Sequence, residues 1–174
     1  MSSAEPFSIS SDSKATASMD KESKETKFVI VGDGPLRSHL ISYSKEQGVS
    51  DKFVFLGDVP EAMLPRLYNC ADVFASPSIQ EGQGISLLEA QATAKPVVAF
   101  NVTAITEVVK DKETGLIVKP DSYELANALS SLLSDKPMRE QMGHAGREYV
   151  CNNFSWKLCA QKMSQIYSEA PQYV

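Results

Sequence analysis

The sequence lacks long apolar runs and any excess of basic residues. No stretch approaches the roughly 18 consecutive apolar residues of a membrane-spanning helix, and the first residues lack the apolar core of a secretory signal. We therefore expect a cytoplasmic location. The 174 residues include 17 Lys and Arg against 22 Asp and Glu, a net charge of −5. This balance argues against binding to a nucleic acid, and against binding to a membrane surface through basic residues of the protein.

Cysteine and histidine are also scarce. Cys70, Cys151 and Cys159 are widely spaced and have no histidines at metal-ligand spacing, so neither a disulfide framework nor a zinc site is indicated. We expect these cysteines to be reduced and mostly buried. His39 and His144 have no serine, cysteine or carboxylate partner in a recognisable catalytic or metal-binding pattern, and we expect both on helix surfaces.

Composition divides the chain near residue 26. Residues 1–26 are rich in serine and nearly free of aliphatic side chains, so they cannot offset their ordering entropy by burial. We predict a flexible tail there and a single domain over residues 27–174, because the length suits one ordinary domain.

From residue 27 onward, apolar runs alternate with segments of helical period. The runs are KFVIVG, KFVFLG, ADVFAS, PVVAF and TGLIVK, and the predicted helices are 35–47, 61–69, 85–93, 122–134, 137–151 and 155–169. Uniformly apolar runs separated by helices indicate a parallel sheet covered on both faces. We predict a Rossmann-like α/β fold with additional C-terminal helices. Apolar residues at helical spacing over 154–167 predict a packing stripe, and any part of it left uncovered would favour self-association.

Ligands of an open parallel sheet bind beyond the carboxyl ends of its strands. Gly32 and Gly34 follow the first strand, but the third glycine of a dinucleotide-binding G-x-G-x-x-G loop is replaced by Arg37. A tight structural turn and a ligand contact both remain open for this loop. Arg37 lies in a first helical turn, where the dipole disfavours a cation; this hints at an anion nearby, although solvent exposure also explains it. On local grounds, Asp58 and Val59 fit an ordinary connection between the second strand and its helix.

The segment EGQGISLLE, residues 81–89, follows the third strand. Gly82 and Gly84 free the backbone, so N–H groups from Gln83 to Ser86 can converge on an anion such as a diphosphate at the helix start. A carboxylate at Glu81 would then need to point past the phosphate towards neutral sugar hydroxyls, and Glu89 could accept from the two hydroxyls of a ribose.

A purely structural alternative exists for part of this segment. Ser86 and Glu89 have the S-x-x-E spacing of a capping box, in which the serine caps the helix and the glutamate reaches back to its N–H. This alternative leaves Glu81 and the two glycines unexplained.

The same segment resembles the E-x(7)-E signature of retaining nucleotide-sugar glycosyltransferases of the large glycogen-synthase and mannosyltransferase-like group, which have the GT-B fold. Further similar stretches occur in the family's order over about residues 27–168: VGDGPLR, FLGDV, ADVFASPS, EAQATAKPVVA, EVVKDKETGLIVKPD and FSW. The resemblance implies one half of a GT-B fold, the domain that binds a UDP- or GDP-sugar as substrate, with no cofactor and no bound metal ion.

The resemblance also implies roles for individual residues. Glu81 would bind hydroxyls of the donor sugar and is the candidate catalytic residue, while Glu89 would bind the ribose. Sugar and diphosphate would contact the backbone amides around Gln83, Gly84 and Ile85. The nucleotide base would lie near the loops that contain Gly32, Gly34, Asp58 and Val59.

Two departures from the family limit this comparison. The Gly-Arg and Lys-Gly segment that neutralises the diphosphate does not precede the first strand, and the N-terminal acceptor domain is absent. Thr103, Ala104 and Thr106 stand where the family has a glycine pair and a proline, and Ala94 replaces a helix-ending glycine.

We expect half of an enzyme, completed by an N-terminal domain or a partner subunit through which any membrane association would occur. The alternative is a non-catalytic interaction module without a working pocket.

Overall fold

A computed structural model describes residues 26–169. The predicted tail therefore lies outside the described residues except for its last position, and its flexibility stays a prediction. The secondary structure elements are, in chain order, β1 (Phe28–Val31), α1 (Arg37–Glu46), β2 (Phe53–Gly57), α2 (Leu64–Cys70), β3 (Phe74–Ser76), α3 (Ile85–Ala92), β4 (Val97–Phe100), α4 (Ile105–Val108), β5 (Gly115–Val118), α5 (Ser122–Ser134), α6 (Lys136–Asn153) and α7 (Trp156–Glu169). Short 3-10 turns at Ser50–Lys52 and Glu61–Met63 precede β2 and α2.

The strands form two parallel sheets flanked by helices. β1 pairs with β2, and β4 pairs with both β3 and β5. The predicted Rossmann-like α/β class is confirmed, since the strands are parallel and alternate with helices. Within residues 26–169, however, the strands make two sheets rather than the single sheet that we predicted, because β1 does not pair with β3.

The two sheets differ in burial. Val97, Val98 and Ala99 of β4 are fully buried between two apolar clusters. The first cluster includes residues of α3 and α4, and the second includes residues of α5 and α6. In this sheet the predicted burial on both faces is confirmed.

The β1–β2 sheet is covered on one face. Ile30 and Phe55 line a cavity together with Leu40 of α1. Four alternate side chains are 40–51% exposed, and these are Val29, Val31, Val54 and Leu56. The prediction of two-sided burial is wrong for this sheet, because within the described range α1 covers only the face that bears Ile30 and Phe55.

A second prediction about burial is wrong. All three cysteines are free but exposed, because they lie on outward-facing positions of α2, α6 and α7. The apolar stripe near the C-terminus packs only in part: Phe154 lies edge-on against Tyr149, whereas Trp156 is 89% exposed and no residue of α7 is buried. His39 and His144, by contrast, lie on helix surfaces as predicted.

Close packing holds α3 against α6. A Cβ atom at Gly146 would lie 3.1 Å from Cγ of Gln91, and one at Gly143 would collide with the carbonyl oxygen of Ala94. Ala94 follows the end of α3 and has a φ of 57°, a backbone conformation that favours glycine. Because α3 begins inside the segment 81–89, this contact positions the helix on which the candidate site is built.

We expect Ala94→Gly to stabilise the protein by about 1 kcal/mol, since it relieves the left-handed conformation of a residue with a Cβ atom. Urea denaturation measures the effect. Ala92→Gly, the same change two residues earlier, is the control and should destabilise the helix end by a similar amount. Equal effects of the two substitutions would contradict the assignment of strain to Ala94.

Candidate functional site

The loops after β1 and β2 meet at the carboxyl ends of their strands. The N–H of Gly32, whose φ is 105°, donates to the Gly57 carbonyl at 2.8 Å. The N–H of Gly34 donates to Oδ1 of Asp33 at 2.7 Å. Asp58 and Val59 follow Gly57 directly, so the structure brings the predicted Gly32–Gly34 and Asp58–Val59 loops together. This geometry is a tight turn, and a contact to a base stays a prediction.

Arg37 lies between these two loops rather than in open solvent. Its Nε atom is 3.9 Å from the position that a Cβ atom of Gly57 would occupy. That Nε is buried and has no hydrogen-bond partner among residues 26–169. The side chain is therefore partly buried at its Nε atom, and a cation lies at the carboxyl ends of β1 and β2.

The helix in the segment 81–89 begins at Ile85, and Gly84 occupies its N-cap position with φ 70° and ψ 38°. Gly84 is buried, and a Cβ atom there would lie 3.0 Å from Cγ2 of Val108 in α4 and 3.3 Å from Cδ1 of Leu87. The amides of Ile85 and Ser86 are the first in the helix, so they have no carbonyl of a preceding turn to bind. These two free N–H groups form part of the positive end of the helix dipole.

The loop before this helix wraps around the carboxylate of Glu81. Its Oε1 accepts from the N–H groups of Gly82 at 3.1 Å, Gln83 at 3.5 Å and Gly84 at 3.1 Å. The predicted convergence of N–H groups on an anion therefore takes a different form, in which the anion is the protein's own carboxylate. We expected this carboxylate to point away from the amides, but it binds them because it is the nearest negative charge to three converging donors.

Glu89 is not part of a capping box. The cap of α3 has no side-chain hydrogen bond, and Ser86 lies inside the helix. Instead, Oε2 of Glu89 accepts from the hydroxyl of Tyr68 at 2.8 Å. The capping-box alternative is wrong because the left-handed Gly84 starts the helix two residues before Ser86. The exposed Glu89 carboxylate is thus available to a ligand.

Tyr68 was missed by the sequence analysis. It belongs to α2, 21 residues before Glu89, and its ring packs edge-on against Phe74 with centroids 5.5 Å apart. Burial, followed by the hydrogen bond to Glu89 and its charge, raises the pKa of Tyr68 above its usual value. The hydroxyl is therefore a donor at neutral pH. No local spacing signals this contact, since it depends on the packing of α2 against α3.

Thr103, at the family's glycine pair, and Thr106, at its proline, are both exposed. Thr103 and Thr106 lie in the loop after β4 and at the start of α4, a short helix that the sequence analysis did not predict. Ile105 and Val108 of the same helix are buried. Val108 is also the nearest neighbour of Gly84, so α4 supports the start of α3.

Two classes of feature are absent from the described range. None of its helices has the length and apolar character needed to cross a membrane. Residues 26–169 also contain no group of three or more His, Cys, Asp or Glu side chains that could hold a metal ion. Metal-free binding stays a prediction.

The sequence of residues 13–149 matches the model of a family described as glycosyl transferases group 1. The chain belongs to this family, and it has the fold predicted from the resemblance.

Two relatives are similar to most of this chain. The D-inositol 3-phosphate glycosyltransferase of Corynebacterium diphtheriae is 36% identical over 164 residues, which are 90% of this chain and 38% of that protein. The GDP-mannose-dependent alpha-(1-6)-phosphatidylinositol monomannoside mannosyltransferase of Mycobacterium tuberculosis is 37% identical over 147 residues, 80% of this chain and 38% of that protein. The chain thus spans well under half the length of these relatives.

Solved structures give the same result. Sucrose-phosphate synthase from Thermosynechococcus elongatus superposes with a TM-score of 0.79 and 30% identity, over 90% of this chain and 40% of the enzyme. The C-terminal domain of a glycosyl transferase group 1 protein from Francisella tularensis superposes with a TM-score of 0.73 and 26% identity, over 82% of this chain and 77% of that domain. The similarity to an isolated C-terminal domain thus covers most of both chains.

We expect Gly84→Ala to destabilise the protein by about 2 kcal/mol, because alanine would be strained in the left-handed conformation. Its Cβ atom would also press against Val108. Urea denaturation measures the loss. Gly82→Ala is the matched control, since a Cβ there meets no heavy atom within 4 Å and should leave stability unchanged. A similar loss in both variants would contradict the special role of Gly84.

Proposed function

We propose that this chain binds a nucleotide-diphospho-sugar and forms the donor side of a retaining glycosyltransferase. The observation that carries the proposal is the segment 81–89, which combines converging backbone amides, a helix start and two carboxylates at the carboxyl end of β3. The membership of the glycosyl transferases group 1 family supports this use of the segment.

The diphosphate would bind at the start of α3. The amides of Ile85 and Ser86 offer two donors, and the dipole of α3 contributes about half a positive charge at this end. The amides of Gln83 and Gly84 become available when Glu81 turns away from them. Because the diphosphate and the Glu81 carboxylate compete for these donors, binding would release Glu81 to accept from hydroxyls of the donor sugar.

The nucleoside would extend from the diphosphate towards the β1–β2 loops. Its ribose would bind Glu89, and its base would lie near the loops that contain Gly32, Gly34, Asp58 and Val59. Arg37 adds a cation with an unpartnered Nε between these loops. The name of the mycobacterial relative, which is GDP-mannose-dependent, supports a nucleotide sugar as the donor.

The amides at the start of α3 would also assist the reaction. Negative charge grows on the nucleoside diphosphate as its bond to the sugar breaks, and donors already oriented at this position stabilise that charge. The sugar would pass to an acceptor with retention of its anomeric configuration. Residues that bind the acceptor would come from an N-terminal domain or a partner subunit, because the chain corresponds to 38% of its relatives' length.

A non-catalytic interaction module is the second candidate function. The hydrogen bonds from the loop amides to Glu81 favour such a module, because the carboxylate already satisfies donors that a diphosphate would need. The exposed side chain of Thr103, where the family has a glycine of the pair, and that of Thr106, where it has a proline, favour it as well. In such a module, neither Glu81 nor Glu89 would bind a ligand.

Titration calorimetry of UDP and GDP separates the two candidates. We expect Glu89→Gln to weaken nucleotide binding about tenfold, because it removes a charge-assisted hydrogen bond to the ribose. Glu81→Gln should instead strengthen binding of the free nucleotide by about threefold, since it removes the anion that competes for the loop amides.

Glu140→Gln is the control, because Glu140 is an exposed carboxylate of α6 whose neighbour is Lys136. It should leave binding unchanged. If the folded wild-type protein binds neither nucleotide at millimolar concentration, the donor-binding proposal is wrong. Binding that none of the three variants alters would favour the interaction module.

We also expect no sugar transfer when this 174-residue chain is assayed alone with UDP- or GDP-sugars, because acceptor-binding residues would lie elsewhere. The assay follows release of the nucleoside diphosphate and labelled product. Release of nucleotide coupled to product formation by the purified chain would show that it carries a complete active site.

A further inference from the structure

Tyr68 connects α2 to the candidate site. Its hydroxyl donates to Oε2 of Glu89 at 2.8 Å. The backbone carbonyl of the next residue, Asn69, accepts from Nζ of Lys95 at 2.9 Å, just after α3. Two hydrogen bonds therefore hold the C-terminal part of α2 against the region of α3, one at the site carboxylate and one beyond the helix end.

The ring of Tyr68 is itself held in place. It packs edge-on against Phe74 of β3 and against the buried cluster that contains Leu87 and Ala90 of α3. Glu89, in contrast, is exposed and would sample several rotamers in water without this partner. A donor fixed by the core thus restrains a flexible carboxylate at the surface.

The hydrogen bond from Tyr68 also gives the two carboxylate oxygens of Glu89 different roles. Oε2 faces Tyr68, so Oε1 is the oxygen that remains fully open to a ligand. A vicinal diol is bound tightly only if the carboxylate is already oriented, because fixing a rotamer during binding costs free energy. The contact from Tyr68 supplies that orientation before the ligand arrives.

We propose that Tyr68 is a positioning residue that orients Glu89 towards the hydroxyls of a donor ribose and thereby sets the preference for ribonucleotides over deoxyribonucleotides. This inference rests on the proposed function, because it assumes that a nucleotide binds at Glu89. It adds a residue outside the segment 81–89 and assigns a selectivity to it.

The test compares UDP and GDP with their 2′-deoxy forms by titration calorimetry on the full chain. The wild-type protein should bind the ribonucleotide about tenfold more tightly than the deoxyribonucleotide. Tyr68→Phe should reduce this preference to about threefold, almost entirely by weakening the ribonucleotide, since a released carboxylate must be ordered during binding.

Two further variants control the comparison. Tyr149→Phe also removes a hydrogen-bonded hydroxyl, but its acceptor is the backbone carbonyl of Glu107, so the preference should remain. Glu89→Asp keeps the charge but is one methylene too short to maintain the contact with Tyr68. It should reduce the preference to about threefold or less, and it provides the test if Tyr68→Phe does not fold.

Each outcome has one meaning. If the wild-type protein binds neither nucleotide, the proposed function fails and this inference fails with it. If the wild-type protein shows the preference and Tyr68→Phe keeps it, only this inference is overturned. Equal weakening of ribo- and deoxyribonucleotides by Tyr68→Phe would also overturn it, because a purely structural role predicts that result. If Tyr68→Phe does not fold, a Glu89→Asp variant that keeps the preference for ribonucleotides would overturn this inference.

Discussion

The left-handed backbone at Gly84 is the constraint on which the candidate site depends. It turns the chain sharply from the loop after β3 into α3, directly after three loop amides that converge on one carboxylate. Val108 and Leu87 pack against the space where a side chain would stand. Because the turn is buried and sterically constrained, it fixes where the loop ends and where α3 begins.

This arrangement binds a negative charge, and in the structure that charge is a side chain of the protein itself. Three converging N–H groups lower the energy of any negative charge near them, and Glu81 is the nearest. The proposed donor diphosphate would therefore replace a carboxylate rather than water.

The orientation of Glu89 depends on contacts between elements that are distant in the chain. Its hydrogen bond to Tyr68 requires that α2 pack against α3, and α3 in turn is fixed by the close approach of Gly143 and Gly146 in α6. A carboxylate at the surface is thus oriented through a chain of packed elements. The glycines of α6 have no contact with the candidate ligands, yet they help to define where the ligands would bind.

The sequence by itself determined the order and type of nearly all strands and helices, because apolar periodicity and glycine-rich turns are local properties. It also located the loops and both glutamates. Tertiary structure decided the rest: the partner of Glu89, the use of the loop amides by Glu81, the exposure of the cysteines and the separation of β1 from β3. These features depend on which elements pack together, and neither side-chain contacts across 21 residues nor the uncovered face of a sheet leaves a signal in local spacing.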